Sequence, residues 1–139
     1  MAEVFATTLD VYLVLGRIPE DPSDRDTADG RPATVDCAHA RLSRMLGGDA
    51  EMTPREETMA LAKRVSTRQI GLIRNAVSAV AARLFEPPAK VVTAGSGEFL
   101  ASAARKTARI SLSERLGPTM SVAAAAFAVA VLAAESTND

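Results

Sequence analysis

One long helical pattern in the middle of the chain constrains the fold more than any other feature of the sequence. Apolar side chains recur at helical spacing over residues 59–84, and Pro87-Pro88 ends the pattern. It begins with Thr53 as an N-cap and Pro54 at the first helical position, a common helix start. A helix of about 30 residues would be about 45 Å long, so a break near Gly71 is expected.

Shorter patterns on both sides of this helix predict an α/β domain with a mixed sheet and flanking helices. Strands are indicated by β-branched runs, helices by three- and four-residue spacing, and loops by Pro, Asp and Gly. The elements in chain order are a hairpin from Glu3–Ala6 and Val11–Leu15, a loop over residues 19–33, a helix over Thr34–Met45, the long helix, a strand over Lys90–Thr93, a helix over Glu98–Lys106, a possible edge strand over Ala108–Leu112, and a final helix over Thr119–Glu135.

Composition excludes several classes of protein. With 139 residues the chain is the size of one domain. Sixteen basic against 17 acidic residues argue against a nucleic-acid partner, which needs clustered positive charge. The longest apolar run, Val122–Ala134, falls short of the roughly 20 residues of a membrane span and predicts a buried helix. We therefore expect a cytoplasmic protein with no membrane partner. The single Cys37 and single His39 exclude a disulfide scaffold and a multi-histidine metal centre.

A glycine turn follows the predicted strand Lys90–Thr93. Gly95, Ser96 and Gly97 stand between that strand and the next helix, where glycines allow close backbone approach and the helix start offers free N–H groups. Such a turn suits a phosphate or the sugar of a nucleotide. Position 100 is leucine, so the full dinucleotide fingerprint is absent. A tight turn with a purely structural role is the alternative.

Two other segments carry polar groups that could bind a ligand. Thr7, Thr8 and Asp10 lie at the predicted hairpin turn, where hydroxyls and amides can hold phosphate oxygens and the carboxylate can hold Mg²⁺. The loop Asp26–Arg31 places two carboxylates, those of Asp26 and Asp29, beside the arginine Arg31. The alternatives are a turn that satisfies its own backbone and a solvated acidic loop.

These segments together resemble one protein family. The strings FATTLDVYLVLGRIPEDP, DTADGRPAT, ARLSRMLGGDA and VVTAGSGEFLA follow its order over nearly the whole chain. They are similar to the C-terminal half of the hydantoinase/oxoprolinase-related proteins of the tetrahydromethanopterin-linked one-carbon pathway, whose members act in methanofuran or methylofuran biosynthesis.

The resemblance implies a fold. The family has the actin-like ATPase and sugar-kinase superfold, in which two ribonuclease-H-like lobes enclose a cleft. The Asp-x-Gly-Gly turn that opens the first lobe is absent from this sequence. Residues 1–139 are therefore expected to form a single C-terminal, ribonuclease-H-like lobe, whose partner is a first-lobe protein or a second copy. A non-catalytic scaffold or a remnant lobe is the alternative.

The resemblance also implies a reaction and a set of roles. An aminomethylfuran diphosphate would condense with the phenol of a glutamyl-tyramine and release diphosphate, a transferase-type reaction that needs the first lobe. Asp10 would hold Mg²⁺, while Thr7, Thr8 and Gly95–Gly97 would contact the phosphates of this phosphorylated small molecule or of ATP. Asp26 and Asp29 would act on the metal or the phenol, and Arg31 would clamp an anion. The alternative is that the chain forms part of an ATP-dependent hydrolase of cyclic amides.

Overall fold

The computed structural model describes residues 5–86, 88–104 and 108–136. The chain divides into two compact units, Met1–Gln69 and Ile70–Asp139, which are described separately below. The boundary falls inside the long helix α3 (Arg55–Ala81). Among the described residues, no helix combines the length and the apolar character needed to cross a bilayer.

The first unit is built on the packing of helix α1 (Thr8–Val14) against helix α2 (Val35–Met45). Its core contains Leu13, Ala33 and Ala38, with further apolar side chains packed around them. Apolar burial of this kind supplies most of the favourable free energy of folding.

Helix α1 corrects the predicted hairpin. Residues 11–15 are β-prone, yet 11–14 are helical and Leu15 is the helix C-cap. Val11, Tyr12 and Leu13 are consecutive and all buried, so burial of this turn outweighs its weak strand preference. Of the other predicted strand, Glu3 and Val4 lie outside the described residues, and Phe5 and Ala6 have no regular structure.

The predicted loop over residues 19–33 is confirmed. It contains neither helix nor extended strand, and an isolated antiparallel bridge joins Asp21 to Ala33. The N–H of Asp21 donates to the carbonyl of Ala33 at 3.0 Å. This bridge closes the loop next to the start of α2.

The predicted helix after this loop is also confirmed. Thr34 is the N-cap of α2, and its hydroxyl oxygen accepts from the N–H of Cys37. After the C-cap Leu46, Gly47 takes a φ of 80°, a left-handed conformation that ends many helices.

The predicted long helix is confirmed as α3, but the predicted break near Gly71 is wrong. It runs without interruption from Arg55 to Ala81 through Gly71. A glycine inside a helix costs only about 1 kcal/mol relative to alanine, which the strong helix formers around it offset. Of the proline pair after the helix, Pro87 lies outside the described residues.

The second unit contains a β-α-β arrangement, as the sequence predicts. Strand β1 (Val91–Thr93) and strand β2 (Arg109–Ser111) are parallel, and helix α4 (Glu98–Ala104) lies between them in the chain. Thr93 pairs with Ser111 in register, so both residues stand at the carboxyl edge of this two-stranded sheet. Residues 105 and 106 of the predicted helix lie outside the described residues. The ribonuclease-H-like lobe stays a prediction.

Up to residue 136, where the described part of the chain ends, three helices follow β2 and the sequence predicts one. They are α5 (Leu112–Leu116), α6 (Pro118–Val122) and α7 (Ala124–Ser136). The predicted helix Thr119–Glu135 is thus divided at Ala123. In contrast to the predicted buried helix, no residue of α7 is buried.

Candidate functional site

The carboxylate of Asp10 is the centre of the first unit's polar network. It lies at the third position of α1, and its Oδ2 accepts from the N–H of the N-cap Thr7 at 2.9 Å. Its Oδ1 accepts from Nε of Arg41 at 2.7 Å, and Nη2 of Arg41 lies at the same distance. Thr7 and Thr8 are exposed at the start of α1. The predicted hairpin turn is therefore a helix start whose carboxylate points into the protein.

Arg41 joins Asp10 to the acidic loop. The Arg41 side chain on α2 is completely buried, and its Nη1 donates to Oδ1 of Asp29 at 3.0 Å. Burial alone would lower the pKa of Arg41, but the hydrogen bonds to Asp10 and Asp29 raise it above its ordinary value. Arg41 is therefore a permanent buried cation held by two carboxylates.

Asp29 accepts hydrogen bonds from two further guanidinium groups, those of Arg31 and Arg44. Its Oδ2 accepts from Nε of Arg31 at 2.7 Å and from Nη1 of Arg44 at 3.1 Å. Burial acts to raise the pKa of Asp29, but the hydrogen bonds from Arg31 and Arg41 outweigh it and hold that pKa far below its ordinary value. Asp29 is therefore ionised throughout the physiological range.

The structure brings Asp10, Asp29 and Arg31 together but leaves Asp26 apart. The backbone N–H of Asp26 donates to Asp24, and no hydrogen bond or ion pair within the described ranges joins the Asp26 carboxylate to Arg41. The hydroxyl of Thr27 donates to the carbonyl of Arg31 at 2.7 Å and shapes this turn of the loop.

The surroundings of Asp10 do not suit a metal ion. Both carboxylate oxygens already accept hydrogen bonds, and the Arg41 guanidinium occupies the place of a cation. In the part of the chain that the structure describes, no group of three or more His, Cys, Asp or Glu side chains could hold a metal. The residues present therefore do not fit Mg²⁺ at Asp10.

The glycine turn of the second unit folds around another carboxylate. Gly95 has a φ of 89°, and its N–H donates to Oγ of Ser121 at 2.9 Å. That hydroxyl donates in turn to Oε1 of Glu98 at 2.7 Å, while the Ser111 hydroxyl donates to Oε2. These hydrogen bonds lower the pKa of Glu98.

Three backbone and side-chain donors of this turn have no internal acceptor. The N–H groups of Ser96 and Gly97 make no backbone or side-chain hydrogen bond within the described residues. Oγ1 of Thr93, at the end of β1, is buried and has no hydrogen-bond partner there either. Buried polar groups normally have partners, which makes the Thr93 hydroxyl unusual, while Ser96 and Gly97 are exposed and their N–H groups are accessible to a ligand.

Both ring nitrogens of His39 contact polar groups of the protein. Its Nδ1 lies 2.9 Å from Oγ1 of Thr58, and its Nε2 lies 3.3 Å from the carbonyl oxygen of Ala50. The Thr58 hydroxyl also lies 3.0 Å from the carbonyl oxygen of Arg55. The histidine therefore connects α2 to α3.

Sequence reasoning missed the arginine at the centre of the first network. Arg41 lies three residues after Ala38 and four before Met45, which places a charge on the predicted apolar face of α2. That position was the available signal, because a charge on a buried face needs a partner. For Ser111 and Ser121, which come 13 and 23 residues after Glu98, no local pattern gives a signal.

The chain is similar to two synthases that share one name. It is 34% identical over 131 residues, 94% of this chain, to the (4-{4-[2-(gamma-L-glutamylamino)ethyl]phenoxymethyl}furan-2-yl)methanamine synthase of Methanocaldococcus jannaschii. It is 30% identical over 143 aligned positions, 99% of this chain, to the synthase of the same name from Methanococcus vannielii. The chain spans 39% and 64% of the lengths of these relatives. No protein-family model matches it.

These relatives confirm part of the resemblance drawn from the sequence. The chain has homologues among the synthases of methanofuran biosynthesis. The link to hydantoinases, oxoprolinases and the actin-like ATPase superfold stays a prediction.

Proposed function

We propose that this chain is part of a synthase that builds a furan-containing cofactor of the methanofuran type. The observation that carries the proposal is the similarity over 94% and 99% of the chain to two synthases of one name. Because the chain spans less than two thirds of either relative, the complete activity belongs to this chain together with further polypeptide, a first-lobe partner or a second copy.

The relatives' name specifies the bond that such a synthase makes. Their product joins the oxygen of a phenol, which carries a gamma-glutamylaminoethyl group, to the methylene carbon of a furan methanamine. In the proposed reaction the phenol oxygen forms this C–O bond, the bond from the methylene carbon to diphosphate breaks, and the phenol proton passes to solvent. Diphosphate leaves with the electron pair of the broken bond, and no oxidant or reductant is needed.

The glycine turn of the second unit is the proposed contact for the diphosphate of the furan substrate. Three observations support it: the left-handed Gly95, the free N–H groups of Ser96 and Gly97, and the unpartnered hydroxyl of Thr93. Backbone N–H groups in such a turn bind phosphate oxygens well. Thr7 and Thr8, which are exposed, stay proposed phosphate contacts.

Magnesium is not assigned to Asp10 in this proposal. The buried ion pair with Arg41 gives that carboxylate a structural role, and no step of the reaction depends on a metal held there. Asp26 stays available as a group that acts on the incoming phenol, because its carboxylate has no partner within the described ranges.

A chimera tests the proposal directly. This chain replaces the 131-residue aligned stretch of the Methanocaldococcus jannaschii synthase, and the product is measured by mass spectrometry with gamma-glutamyltyramine and the aminomethylfuran diphosphate. We expect the aryl ether and free diphosphate in equal amounts. The control is the same chimera with Ser96→Pro, which removes one of the free N–H groups.

Two results would overturn the proposal. One is a chimera that unfolds cooperatively, and is therefore folded, but forms no ether. The other is ATP-dependent hydrolysis of 5-oxoproline or hydantoin by that chimera, which would favour the cyclic-amide hydrolase instead.

A further inference from the structure

The guanidinium groups of Arg31 and Arg44 form a paired cationic surface in the first unit. Both donate to the same oxygen, Oδ2 of Asp29, so they are held side by side. Their side chains are 42% and 43% exposed, and each retains N–H donors beyond the one that Asp29 accepts. Nη2 of Arg31 is buried and has no hydrogen-bond partner among the described residues.

The pair is fixed in place by buried charges. Asp29 is held by Arg41, and Arg41 is held by Asp10, with both Asp10 and Arg41 completely buried. Buried ion pairs contribute little net stability compared with apolar side chains of similar size. Their effect here is to position Asp29, and through it the two exposed guanidinium groups.

The charges of this cluster leave one positive charge unbalanced. Three guanidinium groups, those of Arg31, Arg41 and Arg44, contact two carboxylates, those of Asp10 and Asp29. One carboxylate group of a ligand would pair with this positive charge. A diphosphate would bring more negative charge than the cluster lacks, directly beside the ionised Asp29.

We propose that Arg31 and Arg44 bind the carboxylate of a small-molecule substrate. This inference rests on the proposed function, in which the carboxylate belongs to the gamma-glutamyl group of the phenol substrate. The free N–H donors of the two guanidinium groups suit the two oxygens of a carboxylate, which arginine binds with directional hydrogen bonds. The cluster thus holds the end of the substrate remote from the reacting phenol.

Calorimetric titration of the full chain tests this site. The probes are gamma-glutamyltyramine, tyramine, which lacks the carboxylate, and inorganic diphosphate. We expect Arg31→Gln and Arg44→Gln each to weaken gamma-glutamyltyramine binding about tenfold or more, the loss typical of one hydrogen bond to a charged group. Arg55→Gln is the matched control, because Arg55 also pairs with a carboxylate, that of Asp36, on the exposed surface outside the cluster.

The possible results separate this inference from its alternatives. No binding of gamma-glutamyltyramine by the wild-type chain overturns it, as does equal binding by wild type and the two variants at unchanged thermal stability. Arg31-dependent binding of diphosphate in its place assigns the pair to phosphate. Two independent variants guard against a loss of fold in one of them.

Failure of the proposed function gives a different pattern. A chimera that makes the ether with a KM for gamma-glutamyltyramine unaffected by Arg31→Gln contradicts only the carboxylate site. A chimera that makes no ether, while the isolated chain binds gamma-glutamyltyramine through Arg31, contradicts only the proposed function.

Discussion

Two nitrogens of Arg41, Nε and Nη2, each lie 2.7 Å from Oδ1 of Asp10. Neither side chain is exposed to solvent. The two residues come from different helices, α1 and α2, and lie 31 positions apart in the chain. The pair therefore links the two helices through charges that have no access to water. Removing either partner would leave the other charge buried and uncompensated.

Replacement of Arg41 by glutamine is expected to destabilise the first unit strongly. Breaking a buried ion pair from one side costs about 3–5 kcal/mol, because the remaining carboxylate stays desolvated. Arg55→Gln, which breaks the exposed pair with Asp36, is expected to change stability by no more than about 0.5 kcal/mol. Urea unfolding followed by circular dichroism measures both variants, and equal losses would contradict the structural role of Arg41.

The contact between His39 and Thr58 gives a second prediction. Thr58→Val removes the buried hydroxyl that hydrogen-bonds to Nδ1 of His39, and an unsatisfied buried polar group costs about 1–3 kcal/mol. Thr67→Val is the matched control, since Thr67 also donates to a carbonyl of α3, that of Lys63, but is exposed. We expect the free energy of unfolding to fall for Thr58→Val and to stay within about 0.5 kcal/mol for Thr67→Val. A similar change in both variants would mean that only the helix backbone contact matters.

Much of the fold could be predicted from local pattern. The capped helix from Thr34, the strand ending at Thr93 and the proline-rich loop all follow from residue types that act on their immediate neighbours. The hairpin prediction was wrong at residues 11–14 because their conformation depends on packing against α2, a contact with residues far along the chain. Strand preference is weak compared with burial of a whole helical turn.

In the candidate sites too, residues close together in the sequence could be predicted, whereas their distant partners could not. Asp29 and Arg31 could be found because they stand in one short loop, and Gly95–Gly97 because glycines mark a turn after a strand. The hydrogen-bond partners of the two buried carboxylates lie far along the chain: Arg41 binds Asp10, and Ser121 binds Glu98. The predicted metal role of Asp10 assumed an open turn, whereas the helix start turns its carboxylate towards Arg41.

Two glycines with opposite backbone requirements give a third prediction. Gly71 lies inside α3 and Gly47 follows α2 with a φ of 80°, and a methyl group on either would meet no atom within 4 Å. Gly71→Ala is therefore expected to stabilise the protein by about 0.5–1 kcal/mol, because alanine loses less backbone entropy. Gly47→Ala is expected to destabilise it by about 1–2 kcal/mol, the cost of a left-handed conformation for a residue with a Cβ. Thermal unfolding midpoints that move in the same direction for both variants would contradict this.

The carboxylate of Glu98 gives a prediction about acid stability. Hydrogen bonds from Ser111 and Ser121 hold the pKa of Glu98 below its usual 4.5, so the group stabilises the folded state at pH values above 4.5. That contribution is lost as the pH falls through the lowered pKa. We therefore expect Glu98→Gln to reduce the thermal unfolding midpoint at pH 7, and the difference from wild type to shrink as the pH is lowered below 4.5. Glu135→Gln, at the exposed end of α7, is the control, and a gap between wild type and Glu98→Gln that stays constant down to acid pH would refute the role of the charge.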